Sequence, residues 1–598
     1  MNPPFTPAPA FSTRPTLRGT FGMSASTHWL ATASAQSVLE RGGNAFDAAA
    51  AAAFVLHVVE PHLNGPGGDL TAIFVSGADP QPTVLMGQGP APAAATREHF
   101  LAEGLDLIPG SGVLAAAVPG AVDAWLLLLR DHGTWDLAEV LAYAIGYARD
   151  GHPIAAGVCR TIATVSDFFL EHWPTSAAQW LPEGKVPQAG DLVRNPAWAS
   201  TLQRLADAAH GARVSGIDAA RALWREQAGR AAGDFAATAH RHSSGRDHSG
   251  VITAADFAAF EAGYERPVSI DFRGYTIAKV GAWSQGPVLL QTLQILAGFS
   301  DDRLDPSTAL GAHTILEAQK LAFADRDAYY GDDENIPLDV LLSPEYAAQR
   351  RTLIAETASH EFRPGRVAGT EAFRPPLRTE YSNSDIDGSG AGVGEPTIRP
   401  NGETRGDTCH LDVVDQWGNF ISATPSGGWL QSSPYIPEIG FCLGTRLQMS
   451  WLETGGPATL EPGKRPRTTL TPTMVLKDGR AVAALGSPGG DQQDQWQLLY
   501  LLRTIVGGYE PQQAIDAPAL HTTSLAGSFW PRTWEPGGAV VEDRIGTDVI
   551  AKLERRGHVV ARAGDWGLGR LSVAGRTGDG VLYAAANPRG MQGYAAGR

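Results

Sequence analysis

The chain has 598 residues, 43% hydrophobic and 18% charged, a length and composition that exclude wholesale disorder and allow a sizeable buried core. Acidic side chains number 63 and basic ones 47, and the resulting net charge of −16 argues against nucleic acid or an anionic membrane as the main partner. Three cysteines, Cys159, Cys409 and Cys442, are too few for a disulfide scaffold or a four-cysteine zinc site.

The length corresponds to three or four domains, or fewer if one is large. Residues 1–18 read as a loose arm. Met1 to Gly22 shows no apolar core of a secretory signal, so the expectation is a cytoplasmic protein. From about Ala31 the pattern turns helical and ends near Gly42-Gly43. Asn44 caps a second helix, Ala45–Val59, stopped by Pro61. Its apolar run is too short to span a bilayer and fits a buried helix. Gly65–Asp69 is a turn, and Leu70–Val75 follows as a strand.

Residues 112–300 read as mostly helical, with loops at 182–190 and 229–250. The second loop carries His240, His242 and His248. Histidines so spaced can share a metal, but no carboxylate or cysteine cluster accompanies them, and a solvated insertion is the simpler reading. Helix resumes over His313–Tyr330. Residues 361–407 are rich in glycine, proline and polar side chains, which marks a linker or functional loop and the main organisational break. After it come two hairpins, one turning at Asp415–Asn419 and one at Asp478-Gly479. Strands near the break and helices elsewhere suggest sheets covered by helices.

The break ends at Gly406-Asp407-Thr408-Cys409-His410. A threonine at the mouth of a strand is ordinarily structural. If the bond before Thr408 is cut, however, its hydroxyl lies beside its own α-amine, whose ordinary pKa of about 7.7–8.0 suits a general base. Leu485-Gly-Ser-Pro-Gly-Gly-Asp491 follows a strand. Its paired glycines fit either a plain turn or two converging backbone N–H groups of an oxyanion hole. A phosphate loop would need a lysine after the glycines, and Asp491-Gln492 stands there instead.

Several ordered motifs together resemble the γ-glutamyltransferase family of N-terminal-nucleophile hydrolases, over nearly the whole chain. They are Gly42–Ala49, Val59–His62 with Gly65–Gly68, Val118–Val122, Gly250–Phe257, Ala324–Asp332, Thr408–Asn419, Lys464–Thr473 and Gly486–Gly490.

The resemblance implies an α+β fold, a four-layer αββα sandwich. It also implies self-cleavage between Asp407 and Thr408 into a large subunit, 1–407, and a small one, 408–598, held together non-covalently. Thr408 would be the nucleophile, Ser426 would support its hydroxyl, and Gly489 and Gly490 would form the oxyanion hole. Cys409 competes as a nucleophile, but the register of His410 favours Thr408.

The implied substrate pocket departs from the family. Gln88 stands in the slot of a carboxylate-binding arginine, and glutamine cannot make the bidentate ionic contact. Thr468 and Thr469 replace paired serines, Gly428 replaces an asparagine, Trp451 replaces an amine-binding aspartate, and Gln448 is retained. Arg446 and Arg467 would be surface arginines or would rebuild an anion site. Trp429 and Trp451 would be core aromatics or would favour a flatter acyl group.

The expected activity is that of a self-processing amidohydrolase with altered acyl specificity. It would act on a small-molecule amide with water or an amine as acyl acceptor. The alternatives are a true γ-glutamyl hydrolase or transferase for glutathione-like compounds, and a catalytically silent scaffold. No metal, cofactor, nucleic acid or membrane partner is expected, and homo-oligomerisation of the processed heterodimer stays open.

Overall fold

The computed structural model describes residues 5–380 and 408–598, with only the backbone pair Thr397–Ile398 and Thr404–Arg405 between them. Asp407 and most of the expected linker therefore lie outside the described residues.

The fold is α+β. Two seven-stranded sheets dominate it, and both are antiparallel throughout. Sheet I runs in the order Leu17–Gly19, Leu582–Ala586, Ser572–Arg576, Arg480–Gly486, Thr473–Lys477, Tyr275–Lys279, Val268–Phe272. Sheet II runs Tyr594–Gly597, Gly22–Ser26, Leu411–Asp415, Phe420–Ser426, Asp69–Ser76, Asp79–Gly87, Gly263–Glu265.

Strand alternation sends successive side chains to opposite faces, and each sheet uses both faces. Ile73, Val75, Val414 and Phe420 of sheet II meet Met474, Leu476 and Ala484 of sheet I in one apolar core. Leu70, Ala72, Val413 and Ile421 face away, under helices Trp29–Glu40, Ala45–Val59, Ala121–His132 and Arg213–Ala236. Val475, Ala483 and Leu485 of sheet I face away in turn, under Pro287–Leu296, Ala309–Tyr329 and Gln493–Leu501.

Helix Ala45–Val59 has the expected bounds, and all 15 of its residues are buried. Its small alanine side chains allow close packing on every side. Asn44 and Asp47 form a reciprocal capping box that takes up the first backbone N–H groups. The expected hairpins are both present, as Leu411–Asp415 with Phe420–Ser426 and Thr473–Lys477 with Arg480–Gly486. The second turns through Asp478 (φ 50°) and Gly479 (φ 73°), the pair of left-handed residues that suits a two-residue hairpin.

Residues 112–300 are less helical than expected. Gly263–Glu265, Val268–Phe272 and Tyr275–Lys279 are strands, and they form one edge of sheet II and one edge of sheet I. The expected loop at 229–250 is shorter, because helix Arg213–Ala236 runs through its first part. Helix Ala309–Tyr329 is not amphipathic: from Gly311 onward it is buried all round, with Glu317, Lys320, Asp325, Arg326 and Asp327 inside. Burial of those charges requires partners, and ion pairs supply them.

Candidate active site

Thr408 stands just before strand Leu411–Asp415, near the middle of sheet II. The antiparallel register pairs Leu411 with Ala423, and the bond from Cys409 N to Pro425 O at 3.1 Å continues it. Extending the register three residues sets Thr408 against Ser426, the last residue of the neighbouring strand. Their hydroxyl oxygens lie 3.1 Å apart, and both residues are buried.

Cys409 points the other way, into the helix-side core. Its Sγ lies 3.0 Å from Glu60 Oε2, and Asn64 Nδ2 approaches it at 3.1 Å. Burial pushes the Glu60 carboxyl above its ordinary range, with hydrogen bonds from Thr27 and Cys409 opposing. Strand alternation thus separates the two candidate nucleophiles.

His410 is locked between Thr424 Oγ1 at 2.9 Å and Asp412 Oδ1 at 3.0 Å. Ser422 and Ser572 donate to Asp412 at 2.7 and 2.6 Å. The end of strand Arg480–Gly486 rests on this imidazole: a Cβ at Gly486 would lie 2.2 Å from His410 Cε1. The contact brings the loop that follows, 487–490, close to the start of the Thr408 strand.

In that loop Gly489 has φ +112°, which an L side chain rarely adopts. Gln493 Nε2 donates to Gly489 O, and Gln285 Nε2 donates to Gly490 O at 3.2 Å. With the carbonyls so anchored, neither glycine N–H meets an acceptor among the described residues. Asp491 follows. Burial alone would raise its carboxyl, but Arg326 and Arg467 outweigh that and hold it below the usual range. It pairs with Arg326 and accepts from Ser528 N–H at 3.0 Å and Ser528 Oγ at 2.6 Å.

The residues expected to hold substrate are all buried. Gln88 Nε2 donates to Gly89 O at 3.3 Å, while its Oε1 has no partner. Gln448 Nε2 donates to Gly110 O at 3.2 Å and Thr445 Oγ1 at 3.0 Å, and its Oε1 accepts Trp530 N–H at 3.1 Å. Thr468 is held by backbone pairing to Trp283 and Gln285, and its hydroxyl accepts Leu470 N–H at 3.3 Å. Thr469 Oγ1 is buried without a partner. Trp451 lies beneath the Arg532 guanidinium, 3.3 Å from its ring centroid.

Arg446 does not supply a spare anion site. Its Nε and Nη2 grip Asp69 at 2.6 and 2.7 Å, a buried bidentate pair beside Ser426, whose register partner is Asp69. Gly428 (φ +65°) is dictated by packing, since a Cβ there would lie 2.8 Å from Gly68 N. Trp429 donates to Leu63 O at 2.8 Å and packs with Met449 and Phe529.

Segment 528–532 was not legible as part of the site. Phe529 sits against Gly490, where a Cβ would come within 2.6 Å of the ring, and Trp530 reaches Gln448. Neither carries a motif; only the fold brings them there.

The histidine loop is not a solvated insertion. His242 and His248 are buried with rings stacked 4.1 Å apart, and His248 Nδ1 lies 2.6 Å from Glu103 Oε2. The described residues do hold one close trio of potential metal ligands elsewhere, His313, Glu317 and His558. Its carboxylate is already taken up by Lys320 at 2.7 Å and Arg363 at 3.0 Å.

Acyl transfer needs a hydroxyl nucleophile and converging N–H donors, and the Thr408–Ser426 pair and the Gly489–Gly490 loop are candidates for these parts. Residues 31–597 match the family described as gamma-glutamyltranspeptidase, and the chain belongs to that family. It is thereby an enzyme of the amidohydrolase and acyltransferase class. The solved LmbA2991HD structure is 52% identical, with a TM-score of 0.92 over 98% of this chain and 100% of that one. The glutathione hydrolase-like YwrD proenzyme of Bacillus subtilis is 31% identical over 96% of this chain and 98% of its own length. The oxamate amidohydrolase proenzyme of Klebsiella pneumoniae is 32% identical, over 97% and 98%. No helix among the described residues is long and apolar enough to cross a membrane.

Proposed function

We propose that this chain is a self-processing N-terminal-threonine amidohydrolase on a four-layer αββα frame, with an acyl specificity different from γ-glutamyl. The observation that carries the reading is the buried Thr408–Ser426 hydroxyl pair at 3.1 Å, with Cys409 turned to the opposite face. The alternation of three apolar cores with the two sheets supports the layering.

In the first step the Thr408 hydroxyl oxygen attacks the carbonyl carbon of Asp407, the C–N bond breaks, and an ester forms. Water hydrolyses the ester and leaves residues 1–407 and 408–598 as separate chains. Thr408 then has an α-amine, which takes the hydroxyl proton as Oγ1 attacks a substrate amide. The N–H groups of Gly489 and Gly490 receive the oxyanion, and Ser426 orients the attacking hydroxyl. The ammonium returns its proton to the leaving amine, and water or an amine releases the acyl group. Gln88, Gly428 and Trp451 supply none of the charges that would grip a γ-glutamyl group's carboxylate and ammonium, while Gln448, Thr468 and Thr469 remain as polar lining.

Intact mass measured under denaturing conditions tests this. Two fragments, the smaller beginning at Thr408, are expected, and Thr408→Ala should stay a single chain without amide turnover. A wild-type protein that remains uncut, or one cut before Cys409, would sink the assignment.

A further inference from the structure

A peptide unit is planar, so whatever holds its carbonyl oxygen also fixes its N–H, which belongs to the next residue. The Gly489 N–H shares a plane with the Pro488 carbonyl, and the Gly490 N–H shares one with the Gly489 carbonyl. Both carbonyls are held by buried side chains. Ser487 Oγ donates to Pro488 O at 2.7 Å, and Gln493 Nε2 donates to Gly489 O. Gly489 itself joins the two planes, and its φ of +112° lies outside extended backbone. An extended chain points successive N–H groups to opposite sides; an unusual φ between them is what lets neighbours turn toward one point.

Gln493 is locked in turn. Its Oε1 accepts Thr471 N–H at 3.2 Å, and its backbone N–H donates to Gly490 O at 3.2 Å. Lys279 Nζ donates to Thr471 O at 2.7 Å and stands 3.0 Å from Asp494, which accepts Thr471 Oγ1 at 3.1 Å. With its oxygen committed to Thr471, the Gln493 amide can offer Gly489 O only its nitrogen. The exit of the loop is held from the other side of the proposed cut. Gln285 Nε2 donates to Gly490 O, and its Oε1 accepts from Arg326 Nη1 at 3.0 Å. Arg326 also pairs with Asp491. Arg467, buried rather than on the surface, donates to Ser528 Oγ and has Asp327 as its counter-charge at 3.6 Å.

We propose that Ser487 and Gln493 are positioning residues for acyl transfer, Ser487 aiming the Gly489 N–H and Gln493 the Gly490 N–H at the oxyanion. The inference rests on the amidohydrolase reading of the same site. In this role neither side chain touches substrate; each acts through a peptide plane. A donor aimed where charge develops strengthens in the transition state more than in the bound ground state. Loss of either side chain therefore lowers kcat and leaves KM nearly unchanged.

The test uses the processed enzyme and acetyl, butyryl and glutaryl nitroanilides. Two inhibitors share the best substrate's acyl chain: the alkylboronic acid, a tetrahedral mimic, and the primary amide, a ground-state mimic. Boron bonds to Thr408 Oγ1, the hydroxyl proton passes to the α-amine, and the anionic boronate puts an oxygen where the oxyanion would lie. Gln493→Glu keeps the side-chain length and the acceptor for Thr471 but removes the donor to Gly489 O. Ser487→Ala removes the donor to Pro488 O and only one heavy atom. Each should lower kcat about 10- to 100-fold, less than outright loss of an oxyanion donor, with KM changed by less than about twofold. Boronate affinity should fall by a similar factor while amide affinity holds. A wild-type kcat in either variant, or boronate and amide weakened alike, overturns the assignment of that residue. If Gln493→Glu does not fold, Ser487→Ala decides. A wild-type protein that neither turns over an anilide nor binds a boronate would instead defeat the amidohydrolase reading, and this inference with it.

Discussion

Ser426 Oγ lies 3.1 Å from Thr408 Oγ1, beside the proposed nucleophile. Its hydrogen bond is worth about 1.5–3 kcal/mol if it strengthens as charge develops on Thr408. Ser426→Ala should therefore lower kcat on a chromogenic anilide by about 10- to 100-fold, and Ser426→Thr should keep most of the rate. Full activity in Ser426→Ala would remove this residue from the mechanism. Single residues were the most legible part of the site. Thr408, Gly489 and Gly490 stood in ordered motifs, Ser426 came only as a position implied by the resemblance, and strand register brings Thr408 and Ser426 together. Arg446 shows the limit of such reading. Its sequence neighbourhood said nothing of Asp69, which lies hundreds of residues away and consumes its charge.

At the scale of elements, Asp415 ties the hairpin that follows Thr408 to the fully buried helix Ala45–Val59. Its Oδ1 accepts Trp417 N–H at 2.9 Å and Asn419 N–H at 3.0 Å within the turn. Its Oδ2 accepts Ala45 N–H at 2.9 Å, at the start of helix Ala45–Val59. Asp415→Ala would leave buried donors unmet in both elements and should cost about 3 kcal/mol in denaturant unfolding. A loss under about 1 kcal/mol would mean that water replaces the carboxylate. Helix Ala45–Val59 and both hairpins were legible because cap, period and turn chemistry are local. Strands Gly263–Glu265, Val268–Phe272 and Tyr275–Lys279 were not. Each has five residues or fewer, and two of them lie at sheet edges, so their alternation is too brief to stand out from the helices around them.

At the scale of the molecule, burial keeps several histidines neutral. His28, His57, His62 and His521 are each pulled down to about 3 from 6.5, chiefly by loss of solvation. Their folded pKa values lie below the unfolded one, so their full contribution to stability is present above pH 6.5. It is lost progressively as pH falls toward 3, because the unfolded chain takes up protons that the folded one refuses. Each such group contributes a slope of about 1.4 kcal/mol per pH unit. The melting temperature should drop between pH 7.5 and 5.5, and His57→Leu should flatten the drop; a pH-independent melting temperature would contradict the burial of these rings. The same interleaving that buries them sets an order of events in time. Strand Gly22–Ser26 lies between Leu411–Asp415 and Tyr594–Gly597, and Arg598 O accepts Phe21 N–H at 2.7 Å. A ribosome delivers residue 22 long before residue 597. The sheet that carries Thr408 therefore lacks its edge strand until the distal end has emerged, and the expected consequence is that self-cleavage waits on completed synthesis.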